Sequence, residues 1–259
     1  MMIDLHNHTT RCNHAIGSVE SYVQRAIEQR IDIFGFSDHA PMHYDEAYRM
    51  RFDEMDAYEQ DILHVKEKYA DKISILLAYE VDFLEGYSDE SVMSRKVDYL
   101  IGSVHYLGHW GFDNPEFIGE YQNHNIDEIW QRYFDAIEAM AKRQCFDVVG
   151  HIDLMKVFNF LPKKDVRLLA RDAIKAIKQA NMVVEINAAG LRKPAGEQYP
   201  SHPLMELIAE NDIPITFGSD AHALDHIGFE QDAMRALAKS FGYKKCATFQ
   251  NRERILVNF

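Results

Sequence analysis

Short runs of β-branched and aromatic residues alternate along the whole chain with longer segments whose apolar positions repeat every 3.6 residues. The short runs are apolar on both faces, which is typical of parallel strands that are covered by helices on each side. They predict strands at residues 2–6, 32–37, 74–80, 98–104, 146–150, 182–187 and 214–218. The alternation therefore predicts βα units around a parallel sheet.

The longer segments predict helices that return the chain from one strand to the next. Ser18 and Ser201 stand where N-caps are expected, and Pro203 suits a first helical turn. The predicted helices cover residues 18–30, 53–69, 127–143, 164–180, 203–211 and 229–241. The segment 105–125 is the longest irregular stretch, rich in Gly, Asn, Pro and aromatic residues. Segments of this length are usually functional or mobile, so it is either a lid over a site or a surface excursion.

An imidazole or a carboxylate follows or ends each of the seven predicted strands. A single strand-end histidine is as well explained by a hydrogen bond to a neighbouring carbonyl. Such hydrogen bonds do not explain why polar groups occur at the ends of all seven strands. The carboxyl ends of barrel strands are where active sites are built. The residues concerned are His6, His8, Asp38, His39, Glu80, His105, His151, Glu185, Asn187, Asp220 and His222.

Mixed imidazole and carboxylate groups are typical ligands of Zn²⁺, Mn²⁺ or Fe²⁺ rather than of Ca²⁺ or Mg²⁺. The side chains of His6 and His8 point to the same side of a strand, because side chains alternate with period two. Nine candidate ligands exceed the capacity of one metal, so two are the minimum and three are compatible with a bridging carboxylate. They are His6, His8, His14, His39, Glu80, His105, His151, Asp220 and His222.

Composition narrows the function further. The chain has 259 residues, of which 47% are apolar, and one domain is the default for a barrel of this size. A net charge of −13 disfavours nucleic-acid or membrane partners, although bound cations would still permit a small anionic substrate. No apolar run has the length of a signal peptide or a membrane span, so we expect a cytoplasmic protein. The three cysteines are expected to be reduced, with Cys12 as an alternative metal ligand.

Seven ordered motifs between residues 4 and 222 carry a family resemblance. They read DLHNHTTRCNHAIGSVESYVQRAIEQRI, FSDHAP, EVDF, DYLIGSVH, VVGHIDLMKVF, EINAAGLRKP and FGSDAH. The chain thereby resembles the polymerase and histidinol phosphatase (PHP) superfamily, and in particular its stand-alone histidinol-phosphatases. The resemblance implies a distorted, TIM-like (β/α)7 barrel, with residues 1–259 as a single metal-dependent phosphatase domain. It implies hydrolysis of L-histidinol phosphate in histidine biosynthesis, or alternatively of another small phosphate ester or a nucleotide.

The resemblance also implies a role for each candidate residue. Three divalent metals per chain, of Zn, Mn or Fe, are expected. His6, His8, Glu80 and Asp220 would hold one metal; Glu80 would bridge to a second held by His105 and His151; His14, His39 and His222 would hold the third. Arg192 and Lys156 match the phosphate-binding positions of the subfamily, and the alternative for both is a solvated loop cation. The alternative to an enzyme is a metal-binding protein that has no catalytic activity. The sequence leaves the oligomeric state open.

Overall fold

A computed structural model describes residues 1–87 and 89–259. Within these residues, seven parallel strands form a nearly closed barrel in which each strand pairs with its neighbours in chain order. The strands are Ile3–Asp4, Ile33–His39, Ser74–Asp82, Tyr99–Ser103, Val148–Val149, Val183–Asn187 and Ile215–Gly218. The predicted barrel of seven parallel strands is therefore confirmed.

The first and last strands meet side by side and bring two polar segments together. The backbone N–H of Leu5 donates to the carbonyl of Phe217 at 2.9 Å, and that of His8 donates to Ala221 at 3.0 Å. Gly218 permits this close approach, because a Cβ there would lie 2.6 Å from the Cβ of His6 and 2.0 Å from Oε1 of Glu185. The segments that follow the two strands consequently share one end of the barrel.

Helices cover the outside of the barrel near the predicted positions. They are Val19–Glu28, Met55–Lys68, Ile126–Lys142, Val166–Gln179, His202–Glu210 and Gln231–Ser240, with an additional short helix at Glu90–Met93. Ser18 is an N-cap, since its hydroxyl accepts a hydrogen bond from the N–H of Ser21 at 3.1 Å. Ser201 precedes its helix as predicted, but within the described residues its side chain forms no capping bond. No helix in the described part of the chain is long and apolar enough to cross a membrane.

An antiparallel hairpin at the C-terminus was not predicted. Strands Lys245–Gln250 and Glu253–Asn258 form it, and its turn residues Asn251 and Arg252 both have positive φ. Arg252 donates its N–H to Asp98 and its guanidinium to Asp147, residues that stand just before two barrel strands. The hairpin thus packs at the amino ends of these strands, opposite the polar segments.

The long segment after His105 is more regular than its sequence indicates. It contains a small hairpin, Tyr106–Leu107 with Trp110–Gly111, and a 3-10 helix at Pro115–Asn123. Tyr121 contacts Trp110 edge-on and stacks on Phe160 with ring centroids 4.3 Å apart. The segment is therefore packed as a wall at the carboxyl ends of the strands, and a lid function stays a prediction.

Candidate metal centre

A pocket of about 640 Å³ opens at the carboxyl ends of the barrel strands. Its floor contains predicted ligands from successive strands, including His39, Glu80 and Asp220. The segment after His105 contributes Asp113 and Glu116 to its wall. This placement follows from the topology, because all parallel strands present their carboxyl ends on one side of the barrel.

The nine predicted ligands converge at this floor. These residues form three adjoining clusters, and within each cluster the potential ligand atoms lie within 4.8 Å of one another. The clusters are His6 with His8 and Glu80, Glu80 with His105 and His151, and His14 with His39 and His222. Asp220 joins them through Oδ1, which lies 3.2 Å from Nε2 of His8. The grouping that the resemblance implies is thus present as geometry, and the assignment of each residue as a ligand stays a prediction.

Glu80 lies between two of the clusters. Its Oε2 is 3.3 Å from Nε2 of His6 and 2.9 Å from Nδ1 of His39, whereas its Oε1 is 2.8 Å from Nε2 of His151. The carboxylate is 1% exposed. Its two oxygens therefore face different sets of imidazoles, which is the arrangement that a bridging carboxylate requires.

The donor atoms of the floor fit divalent metals. Buried polar atoms normally have a hydrogen-bond partner. Within the described residues, however, Nε2 of His6, His8 and His222 and Oε2 of Glu80 are buried without one. Imidazole nitrogens and carboxylate oxygens that no protein hydrogen bond occupies are, once deprotonated, the donors that transition metals bind.

Several of these imidazole rings contact a carboxylate or a backbone carbonyl through Nδ1. Nδ1 of His6 lies 2.7 Å from Oε1 of Glu185, and Nδ1 of His14 lies 2.7 Å from the carbonyl of Cys12. Nδ1 of His105 contacts Asp82. Such contacts fix the tautomer and turn Nε2 toward a metal. The sequence places Glu185 in a strand without indicating its role, and the only signal for Asp82 is its position two residues after Glu80, on the same side of the strand.

Burial and charge set the protonation of the floor. Burial acts to raise the pKa of Glu80, but the imidazoles of His6 and His39 hold it well below its ordinary value. Burial lowers the pKa of His39 to about 4, so this ring is neutral. Burial also opposes the charge on His8, but Asp220 and Asp38 outweigh it and raise the pKa of His8 to about 9. Metal binding should therefore release protons from the cluster.

Arg192 and Lys156 differ in what their nitrogens contact. Arg192 lines the pocket, and its Nη2 donates to the carbonyls of Ser219 and Asp220 at 2.8 and 3.0 Å. Its Nη1 is buried and has no partner among the described residues. A guanidinium held on one side and free on the other is suited to bind an anion. The predicted phosphate contact of Arg192 therefore has a donor available.

Lys156 has its ammonium occupied. Its Nζ lies 2.6 Å from Oε2 of Glu197, 2.7 Å from the carbonyl of Gln198 and 3.1 Å from Oδ2 of Asp153. An ammonium has three N–H donors, which matches these three acceptors. The residue is 2% exposed, so it is not a solvated loop cation. Its phosphate role stays a prediction without a free donor to carry it.

Cys12 stands close to the floor but is engaged elsewhere. Its sulfur belongs to a group with His8 and His222 whose atoms lie within 4.8 Å of one another. The thiol donates to the carbonyl of Thr9 at 3.1 Å, and burial raises its pKa far above the ordinary value. Both observations favour the protonated thiol, and all three cysteines are free, as expected.

Known proteins are similar to this chain in sequence and in fold. The model of the PHP domain family matches residues 4–189. A probable histidinol-phosphatase of Deinococcus radiodurans is 36% identical, covering 97% of this chain and 98% of its own length. The histidinol-phosphatase of Bacillus subtilis is 26% identical over 89% of this chain and 97% of its own.

A solved structure has the same fold. It is the histidinol phosphate phosphatase of Lactococcus lactis in complex with Zn, L-histidinol and phosphate, with a TM-score of 0.82, 21% identity and 98% of both chains covered. The family match covers most of the chain, and the two relatives named above are both called histidinol-phosphatases. The chain belongs to the PHP domain family, within its stand-alone histidinol-phosphatase subfamily.

Proposed function

We propose that this protein is a metal-dependent phosphomonoesterase that hydrolyses L-histidinol phosphate to L-histidinol and phosphate. The observation that carries the proposal is the convergence of the nine ligand candidates and the free guanidinium nitrogen of Arg192 on one pocket. The subfamily, to which both histidinol-phosphatase relatives belong, supports the substrate. We further propose that residues 1–259 act as a single catalytic domain.

The proposed centre holds three divalent metals of Zn, Mn or Fe, grouped as the resemblance implies. When bound, such metals lower the pKa of a coordinated water and offset phosphate charge, which together remove most of the barrier to monoester hydrolysis. Glu80 would connect two of the sites, because its Oε2 faces His6 and its Oε1 faces His151. Glu185 and Asp82 would keep His6 and His105 oriented from outside the metal shell.

Arg192 would bind the phosphate at the side of the pocket next to Asp220 and His222. Its guanidinium is anchored through Nη2, so little conformational freedom is lost when Nη1 contacts a phosphate oxygen. Phe229 supports the guanidinium from one face, with its ring centroid 5.0 Å from Cζ. The residue is thereby preorganised for a tetrahedral anion.

One wall of the pocket is acidic. Asp45, Asp113 and Glu116 line it, and burial raises the pKa of Asp113 despite the opposing charge of His105. L-Histidinol has an ammonium and an imidazole, both of which suit carboxylate partners, whereas a nucleotide base has no cationic group at neutral pH. This charge distribution favours histidinol phosphate over the alternative of a nucleotide substrate.

A substrate panel tests the proposal. The metal-loaded enzyme should hydrolyse L-histidinol phosphate with a kcat/KM at least about 100-fold above that for AMP or p-nitrophenyl phosphate, since the half-buried carboxylates of Asp45 and Asp113 can pair with the cationic groups of histidinol and not with those substrates. A chelator should abolish turnover, and metal analysis before and after should follow the loss. Equal or faster hydrolysis of AMP would favour the alternative substrate, and metal-rich protein without turnover on any ester would favour the non-catalytic rival.

We propose a structural role for Lys156 in place of phosphate binding. Lys156→Met should lower the free energy of unfolding by on the order of 3 kcal/mol, because it leaves the buried carboxylate of Asp153 without its cation. Turnover measured well below the melting temperature should change less than about threefold, far below the loss expected for a phosphate donor. Thermal unfolding and steady-state kinetics check this, with Lys178→Met as an exposed-lysine control. An unchanged stability together with a collapse in kcat/KM would restore the phosphate role.

A further inference from the structure

Arg49 is a buried cation that none of the proposed steps uses. It lies in the segment between the second barrel strand and helix Met55–Lys68, and it is 2% exposed. Its Nη1 donates to Oδ2 of Asp82 at 2.7 Å, and its Nη2 donates to the hydroxyl of Tyr106 at 3.0 Å. A buried arginine is costly unless it is paired and hydrogen-bonded, so these contacts define one position for the guanidinium.

Asp82 connects Arg49 to the metal centre. While Oδ2 of Asp82 accepts from Arg49, its Oδ1 accepts from Nδ1 of His105. Nε2 of His105 then faces Oε1 of Glu80 at 3.7 Å, in the cluster that also contains His151. The order Arg49, Asp82, His105 is therefore a continuous line of charged hydrogen bonds that ends at a candidate ligand atom.

The positive charge of Arg49 stabilises the ionised carboxylate of Asp82. Asp82 is 7% exposed, and besides burial, which is the larger cause, its charge acts to raise the pKa of the neighbouring carboxyl of Asp113. Without a fixed cation, a buried carboxylate is destabilised in its charged form and is free to turn away from the imidazole. The imidazole of His105 would then lose the partner that orients its ring and increases its basicity as a ligand.

Arg49 also holds the wall of the pocket. Its Nε donates to the carbonyl of Asp45 at 3.0 Å, and the hydroxyl of Tyr106 donates to Oδ2 of Asp45 at 2.5 Å. Asp45 and Tyr106 both line the pocket. One guanidinium thus contacts the acidic wall and the carboxylate behind His105 at the same time.

We propose that Arg49 is a positioning residue that sets the metal affinity of the cluster of Glu80, His105 and His151 through Asp82. The inference rests on the proposed metal centre but not on the identity of the substrate. Outer-shell partners of metal ligands typically change metal affinity by about 10–100-fold when they are removed. Arg49→Met should therefore raise the free Zn²⁺ concentration needed to fill this cluster by that factor, while the other clusters fill as before.

The experiment is a Zn²⁺ titration of the full chain in a chelator-buffered series, with bound metal measured by elemental analysis and folding checked by thermal unfolding. Arg252→Met is the matched control, because Arg252 pairs with Asp147 at the opposite end of the barrel. It should lose stability and keep the wild-type metal curve. Arg49→Lys should recover part of the Zn²⁺ affinity, since lysine restores the positive charge but not the paired N–H groups of the guanidinium. If Arg49→Met does not fold, Arg49→Lys is the variant that tests the inference.

Two further variants separate the route through Asp82 from a general disturbance of the wall. Tyr106→Phe removes a contact of Arg49 but leaves its pair with Asp82, so it should keep the metal curve. Asp82→Asn should weaken Zn²⁺ binding, and adding Arg49→Met to it should cost no further affinity. A wild-type curve for both Arg49 variants, or an equal loss in Arg252→Met or Tyr106→Phe, would overturn the inference. Wild-type protein that binds no Zn²⁺ would overturn the metal centre as well, whereas normal curves without histidinol phosphate turnover would overturn only the proposed substrate.

Discussion

Glu80→Gln should lower kcat on the order of 10³-fold, well beyond the 10–100-fold typical of outer-shell partners, and should change the melting temperature little. The reason is that the two oxygens of Glu80 face different clusters, with Oε2 at 3.3 Å from Nε2 of His6 and Oε1 at 2.8 Å from Nε2 of His151. An amide presents one oxygen and one NH₂ group, so it cannot coordinate on both sides. The amide has nearly the same shape, and it can still accept the hydrogen bond from Ser103, which is 2.6 Å long.

Metal analysis, kinetics and unfolding on the same samples distinguish this effect from misfolding. The variant should also retain fewer metal equivalents than the wild type. Phe34→Ala is the matched contrast, since Phe34 is fully buried in the second barrel strand. That variant should lose about 3–5 kcal/mol of unfolding free energy and keep its turnover per folded molecule. Wild-type turnover and metal content in Glu80→Gln would show that Glu80 does not bridge.

The barrel strands could be predicted because their physical signal is local. A strand buried on both faces is apolar throughout, and 33–36 and 183–184 read in this way. The C-terminal hairpin has no such signal: Ile255 and Leu256 are exposed, and its turn is Asn251–Arg252 rather than a pair with glycine. The hairpin 106–111 is formed by two-residue strands, which are too short for any periodicity to identify.

The ligand candidates could be predicted because the barrel topology brings all strand ends to one place. The groups that orient them could not, since they act over long sequence separations. Arg49 stands in a loop, and its partners Asp82 and Tyr106 are 33 and 57 residues away. The resemblance predicts a phosphate contact for Lys156 but gives no sign that Asp153 and Glu197 occupy its ammonium, and Glu197 is 41 residues away.

Arg192 offers a direct test of how the phosphate is bound. Its Nη1 is buried and has no partner within the described residues, while Nη2 is fixed by the carbonyls of Ser219 and Asp220. Arg192→Ala should therefore remove a charge-assisted contact that strengthens as charge develops in the transition state. Its kcat/KM for L-histidinol phosphate should fall by about 10²–10³-fold, the scale of losing one preorganised oxyanion donor.

The conservative variants and the metal content decide between a catalytic and a structural Arg192. Arg192→Lys should recover only part of the loss. A guanidinium can contact the carbonyl of Ser219 with one nitrogen and a phosphate oxygen with another, and the single nitrogen of an ammonium cannot reproduce this geometry. Lys193→Met removes the neighbouring exposed cation of the pocket rim and should cost less than about tenfold, since an exposed charge is screened by solvent. The metal content of Arg192→Ala should equal that of the wild type. A collapse in kcat/KM accompanied by metal loss would instead mean that Arg192 holds Asp220 in place, because its Nη2 contacts the Asp220 backbone, and an unchanged kcat/KM would remove Arg192 from the phosphate site.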